Sequence, residues 1–456
     1  MKTIRIGAGQ GFYGDSAAPA VETAKRGGIH YLCMDSLAEL TLAILQKDRQ
    51  RDPAKGFAAD LASQLRALLP VARANGIRII TNAGGMNPAG ALREAERVAK
   101  ELGLQGLKLA VVTGDDVREE LDAYREQGVP LDHLEDGRDI ADIRDRIVFA
   151  NAYLGAKPIA DALRQGADVV ITGRAADSAL FLAPYIHEFG IGPKDWHRLA
   201  QGVLMGHLLE CSGQASGGNF SGDWQAVEAL EDIGFPIAEI AEDGTFVLTK
   251  PEGTGGLVSV DTVKEQLLYE IHDPFAYATP DVVLNVSEVA LEDIGPNRVR
   301  VTGARGTKRP ETLKVVMGYA DGWLGQAIWG YSWPDAPAKA RAADRIVRKQ
   351  IERSGLRADE IRTDFLGLDS LHGPLAPPPA EEPNEVYVRL AVRTKSRDEA
   401  AKLGRLVPPL MLSGPPAMGA FLGMMKPREL LGMWSCLVPR ELIESKVRVT
   451  VTEVRP

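Results

Sequence analysis

Five short, nearly uninterrupted apolar runs in the first half of the chain, each closed by a polar or glycine-rich loop, restrict its fold most. They lie at 3–8, 29–34, 77–81, 107–112 and 168–172. Runs of this length with little alternation suit strands buried on both faces. Helical stretches separate them at 16–26, 37–49, 57–74, 88–102 and 157–165. Asp15-Ser16, Asp35-Ser36 and Asn87-Pro88 supply helix-start chemistry, since a short polar side chain can accept from the free N–H groups of the first turn. Leu61, Leu65, Leu68 and Leu69 give the third helix an apolar stripe, and Gly76, Gly103 and Gly166 stand where helices should stop. The alternation predicts a parallel sheet flanked by helices, a doubly wound α/β domain over 1–215. A closed eight-stranded barrel is the alternative, but only five or six strands are convincing.

From about 216 glycines punctuate short β-like runs near 245–249, 281–286, 298–301 and 313–317, and a long helix is expected at 336–354. This pattern predicts a second, α+β domain over 216–375. Leu375-Ala-Pro-Pro-Pro-Ala-Glu-Glu-Pro383 reads as a stiff linker. Beyond it come a strand at 385–393, a helix at 396–405, a Pro/Gly/Met-rich loop at 407–427 and a last strand at 446–453, forming a small C-terminal αβ unit within 376–456.

A net charge of −9 and the lack of any long basic run argue against nucleic acid as a partner. No apolar stretch approaches the length of a membrane span, and the first residues lead straight into a strand, so a cytoplasmic protein without membrane attachment is expected. Cys33, Cys211 and Cys436 are too far apart to suggest a disulfide framework or zinc ribbon. Size and class suggest a homo-oligomer.

In doubly wound sheets ligands bind beyond the carboxyl ends of the strands, and several such loops carry chemistry here. Gly7–Gly14, which includes Gly9 and Gly11, approximates a dinucleotide fingerprint, with Asp35 as the acid at the end of the second strand. Phe12 and Tyr13 add bulk where a pyrophosphate would need close approach, so general anion binding or backbone packing carries more weight. Asn82, Gly84, Gly85 and Asn87 could cradle a carboxylate, carbonyl or phosphate oxygen at a helix start, or Asn87 could simply cap that helix. Asp115 and Asp116 suit capping better than magnesium. Arg174 offers a cation for a carboxylate or phosphate with Asp177 three residues on to orient it, unless the two only brace the loop. Asp35 and Glu39 suit helix capping. Farther along, Thr254, Gly255 and Gly256 could cradle an oxyanion, although their loop is no Walker motif. Tyr269–Pro274 and Tyr277–Asp281 are dense in acid–base groups, and His272 is a candidate there, although beside Asp273-Pro274 capping of a helix carries more weight.

The segment Gly206-His-Leu-Leu-Glu-Cys-Ser-Gly213 is the densest in chemistry. On a helix His207 and Glu210 share a face and Cys211 lies four residues from His207. Such a group can transfer protons, ligate a metal or attack as a nucleophile, or it can be a polar face before a helix stop. Its apolar neighbours make ionisable groups costly there unless they are partnered.

These loops, taken in order, resemble the acyclic terpene utilization (AtuA-like) family. The matching stretches are Ile6–Asp15, Asp35–Thr41, Thr81–Pro88, Ile171–Asp177, Gly206–Cys211 through Gly218, Gly253–Val258, Gln266–Pro274 and Leu412–Pro416. One departure is Ser212, which follows Cys211 where the family pattern has glycine. The resemblance implies a cytoplasmic bacterial protein of carbon catabolism, associated with breakdown of branched terpenoid acids as CoA thioesters.

Taken together, the expectation is an enzyme acting on a small branched carboxylate or its acyl-CoA ester by hydration, dehydration or C–C lyase chemistry. Arg174 and the glycine-rich loops would hold anionic oxygens, Glu210 or His207 would move the proton, and Asp177 would orient Arg174 or a water. The alternatives are a hydrolase or acyl transferase using Cys211, and a non-catalytic acyl- or nucleotide-binding subunit that partners a carboxylase. No motif requires a cofactor; a divalent metal on His207, Glu210 and a further acid stays open.

Overall fold

A computed structural model describes residues 2–456, with the side chains of 420–425 left out. The five expected strands form as β1 (Thr3–Gln10), β2 (Tyr31–Met34), β3 (Arg78–Thr81), β4 (Lys108–Thr113) and β5 (Val169–Thr172). They run parallel in the order β1-β2-β3-β5-β4. Every residue of β2 and β5 is buried, as their unbroken apolar sequences require. Helices Ala17–Arg26, Glu39–Arg51, Leu61–Asn75, Pro88–Glu101 and Lys157–Arg164 fill the crossovers. Ser16 and Asn87 cap the first and fourth of these, accepting from Ala18 N and Gly90 N. Leu61, Leu65, Leu68 and Leu69 face the core beside Ile79, Leu109 and Ile171. The sheet is open rather than a closed barrel.

The fold is α/β, and antiparallel strands extend the parallel centre on both sides. On one side lie β6 (Ile237–Ala241), β7 (Phe246–Thr249), β8 (Ala290–Gly295) and β9 (Arg298–Thr302); on the other lies β10 (Arg448–Glu453). The full order is β8-β9-β7-β6-β1-β2-β3-β5-β4-β10. At the two junctions β6 pairs antiparallel with β1, and β10 pairs antiparallel with β4, Arg448 opposite Thr113 and Glu453 opposite Lys108.

This pairing explains why the change of texture at 216 is no boundary between compact units. The chain forms one unit from the residues up to Met317 together with Met433–Pro456, and a second from Gly318–Gly432. The second unit has its own core, with Trp329, Tyr331, Val347, Val388 and Leu390 buried together. Its helix Ala336–Ser354 buries Ala336, Ala340, Ala343, Val347 and Ile351, an apolar stripe at helical spacing. Its strand Glu385–Thr394 pairs antiparallel with Glu360–Leu366 on one side and with the long strand Thr312–Ser332 on the other. The loop expected at 407–427 is a correction: Leu410–Ser413 is a short helix, and Met418–Pro439 is a strand beside Thr312–Ser332. An available strand partner outweighs the loop-like composition of that stretch. Among the described residues no helix is long and apolar enough to cross a membrane.

Candidate functional site

The carboxyl ends of β1, β2 and β5 open on a cavity of about 740 Å³ within the first unit. The loop after β1 brings Gly11 and Phe12 to it, the turn after β2 brings Asp35 and Glu39, and the turn after β5 brings Arg174 and Asp177. Glu210 and Cys211 enter from the end of helix Trp196–Leu209. Tyr153, Tyr277 and Lys314 complete its wall, while the exposed Tyr269, Glu270 and His272 stand at its rim.

Two glycines set the distances. A Cβ at Gly206 would lie 2.6 Å from the carbonyl oxygen of Ser178, so the helix that carries Glu210 touches the turn that carries Asp177, backbone to backbone. A Cβ at Gly11 would lie 2.6 Å from Ser212 Oγ and 2.8 Å from Ser212 N. The first strand-end loop is thereby pressed against the Cys211–Ser212 turn. Ser212 has φ 45°, in the left-handed region that favours glycine.

Arg174 is fully buried and lies at the centre of the charged groups. Its Nη2 donates to Asp177 Oδ1 at 2.8 Å, Nη1 donates to the Leu37 carbonyl, and the guanidinium lies 4.1 Å from the centre of the Tyr153 ring. Asp115 fixes its backbone, accepting from Arg174 N at 2.7 Å and from Asn151 Nδ2 at 2.8 Å. The Tyr153 hydroxyl donates to Glu39, and Lys314 Nζ stands 3.3 Å from the same carboxylate. Burial alone would raise the Glu39 carboxyl, but the Tyr153 hydroxyl with Arg174 and Lys314 holds it down at about 2.

Asp35 and Glu210 behave oppositely. Asn82 Nδ2 donates to Asp35 Oδ1 at 2.5 Å and Leu37 N at 3.1 Å. Burial and the neighbouring Asp177 nevertheless push the Asp35 carboxyl well above the usual carboxylate range. Burial, Asp177 and Glu270 push Glu210 up in the same way. Glu210 Oε1 lies 3.1 Å from Nδ1 of His207, whose other ring nitrogen makes no hydrogen bond. Burial pushes His207 below its ordinary value, so it is neutral at pH 7. Gln266 Nε2 donates to the His207 carbonyl at 2.9 Å and steadies this helix end. Burial, reinforced by Glu210, pushes the Cys211 thiol far up.

A family model described as acyclic terpene utilisation family protein AtuA matches residues 4–449. The chain belongs to this family. Comparison with curated proteins and with solved structures found no match. Membership gives the chain a role in acyclic terpene utilisation, compatible with catabolism.

Of the residues singled out from the sequence of this AtuA-family chain, Arg174, Asp177, Glu210, Cys211 and Gly11 line the cavity. His207 stands behind Glu210, and Asn82 behind Asp35. Gly9, Gly84 and Gly85 lie elsewhere and serve packing: a Cβ on them would strike Leu32 and Met34, the Thr172 carbonyl, and Leu45 respectively. Asn87 caps its helix and donates to the Lys55 carbonyl at 2.8 Å. Thr254, Gly255 and Gly256 are away from the cavity, and their N–H groups donate to the carbonyls of Pro251, Asp232 and Glu228. Among the described residues no group of three or more His, Cys, Asp or Glu side chains is arranged to hold a metal. The sequence singles out neither Tyr153 nor Lys314, marks Tyr277 only as part of a stretch rich in acid–base groups, and favours helix capping for Asp35 and Glu39. Tyr153 follows the strand Ile147–Ala152, whose otherwise apolar run is interrupted by Asn151.

Proposed function

We propose that the cavity is the active site of an enzyme of acyclic terpene utilisation that moves protons on a branched acyl skeleton, by hydration, dehydration or C–C lyase chemistry. The observation that carries this reading is the gathering of Asp35, Asp177 and Glu210 around Arg174 in one cavity, with two of the three carboxyls pushed up. Dehydration needs an acid and a base side by side, and neighbouring carboxyl groups in unlike environments supply both. Glu210 or Asp35, each raised well above the usual carboxylate range, protonates a departing hydroxyl, which leaves as water. Asp177, ion-paired with Arg174, takes the proton from the adjacent carbon as the C=C bond forms. Hydration is the same exchange run backwards. His207 fixes the rotation of Glu210 through their 3.1 Å contact. Nucleophilic attack by Cys211 has less support, because a thiol raised this far yields little thiolate at pH 7.

The test is growth on an acyclic terpenoid by a host that depends on this protein for it. Glu210→Gln and Asp177→Asn should abolish growth while the purified variants melt within a few degrees of the parent, and Cys211→Ala should support growth. Loss of a general acid or base typically costs about 10²–10⁴ in rate. Normal growth with Glu210→Gln would remove the acid–base assignment, and failure with a folded Cys211→Ala would restore the thiol.

A further inference from the structure

Acid outnumbers cation in this cavity. Asp35, Glu39, Asp177, Glu210 and the rim residue Glu270 face Arg174 and Lys314, with His272 exposed at the edge. Both fixed cations are already matched. Arg174 is ion-paired with Asp177 at 2.8 Å, donates to the Leu37 carbonyl and lies over Tyr153. Its Nε has no partner but is sealed from solvent, so it does not present itself to an incoming ligand. Lys314 Nζ is 3.3 Å from Glu39 and 4.9 Å from the centre of the Tyr153 ring. A free carboxylate reaching the buried end would meet no unmatched positive charge, and would lie among other carboxyl groups. Asp35 uses Oδ1 for Asn82 and Leu37, and Glu210 uses Oε1 for His207. The second oxygen of each is the one available to a ligand.

From this pairing we infer that the buried end accepts its substrate through an uncharged oxygen, a hydroxyl or a carbonyl, held between Asp35 and Glu210, and excludes an ionised carboxylate. The inference rests on the cavity being the acid–base site proposed above, and it replaces the expectation that Arg174 grips an anionic oxygen. Burial and crowding raise Asp35 and Glu210 well above the usual carboxylate range, which favours the protonated form that donates a hydrogen bond to such an oxygen. A substrate acid would therefore have to arrive with that end masked as an ester, thioester or amide, or with its charge at the exposed rim.

The experiment is calorimetric titration of the full chain at pH 7.5 with three ligands of one carbon skeleton. These are 3,7-dimethyloct-6-enoate, its primary amide and the corresponding primary amine. The amide should bind at least tenfold more tightly than either charged ligand. Asp177→Asn leaves Arg174 unmatched, so the carboxylate should gain about tenfold on the amide. Glu39→Gln leaves Lys314 unmatched and should give the same direction if the first variant does not fold. A carboxylate that binds the parent as tightly as the amide overturns the inference and leaves the acid–base reading standing. Preference for the amine also overturns it, since the carboxyl groups would then be ionised. Binding of none of the three would remove the inference together with the proposed function.

Discussion

Asp115 does not line the cavity, yet it holds the backbone of Arg174, and its energetics can be read out by pH. Burial pushes its carboxyl to about 6 from an ordinary value of 3.8, against the pull of the Arg174 N–H and Asn151. Between those values the folded chain binds a proton that the unfolded chain has lost. Stability from this group is therefore greatest below pH 4 and falls as pH rises towards 6. Above that the ionised carboxylate costs the fold about 3 kcal/mol. Asp115→Asn should remove this slope: between pH 4 and 7 the parent should lose about 2–3 kcal/mol more than the variant in urea titrations. Parallel curves would mean that Asp115 keeps its charge when folded.

At the level of elements, the contact between helix Trp196–Leu209 and helix Ala179–Phe189 sets the position of Glu210. Alanine gains about 1 kcal/mol over glycine within a helix, so both Gly202→Ala and Gly206→Ala start with a small advantage. At 202 the new methyl meets side-chain atoms only, the end of Leu182 at 2.5 Å and the edge of the Tyr185 ring at 2.9 Å, which can shift at some cost. At 206 it meets the Ser178 backbone, which cannot. Gly206→Ala should therefore lower stability by about 1–3 kcal/mol and move Glu210 away from Asp177, while Gly202→Ala should cost less; thermal unfolding of both variants checks the order. The same scale shows what could be read in advance. Strands buried on both faces, such as Tyr31–Met34 and Val169–Thr172, declare themselves because every position must be apolar. Ile147–Ala152 escaped notice because Asn151 breaks its apolar run, and with it went Tyr153. The Arg174 turn and the Glu210 helix end were legible as motifs, since their polar groups stand out against apolar surroundings. Of the partners of Arg174, Asp177 was legible three residues on, but Tyr153 and Leu37 were not, because they come from distant segments and carry no local signal.

For the whole molecule, the split into two compact units has a direct test. Gly318–Gly432 encloses its own buried cluster around Trp329 and Val388, so it should fold when expressed alone. Cooperative urea unfolding with an m-value of about 1–1.5 kcal/mol/M would be the expected result, and a broad, non-cooperative melt would show that its core is incomplete. The change of composition at 216 did not reveal this division, because β6 to β9 attach to the edge of β1 and continue the first sheet. Hydrogen bonding between distant strands decides that, and composition does not record it. The pairing of Arg448–Glu453 with Lys108–Thr113 carries a consequence for synthesis. Until Arg448–Glu453 has been made and has docked, the rim of the sheet beside Lys108–Thr113 keeps its amides and carbonyls unclaimed. A chain lacking that strand would display a ready template for another polypeptide, so Arg448–Glu453 closes this edge against its neighbours.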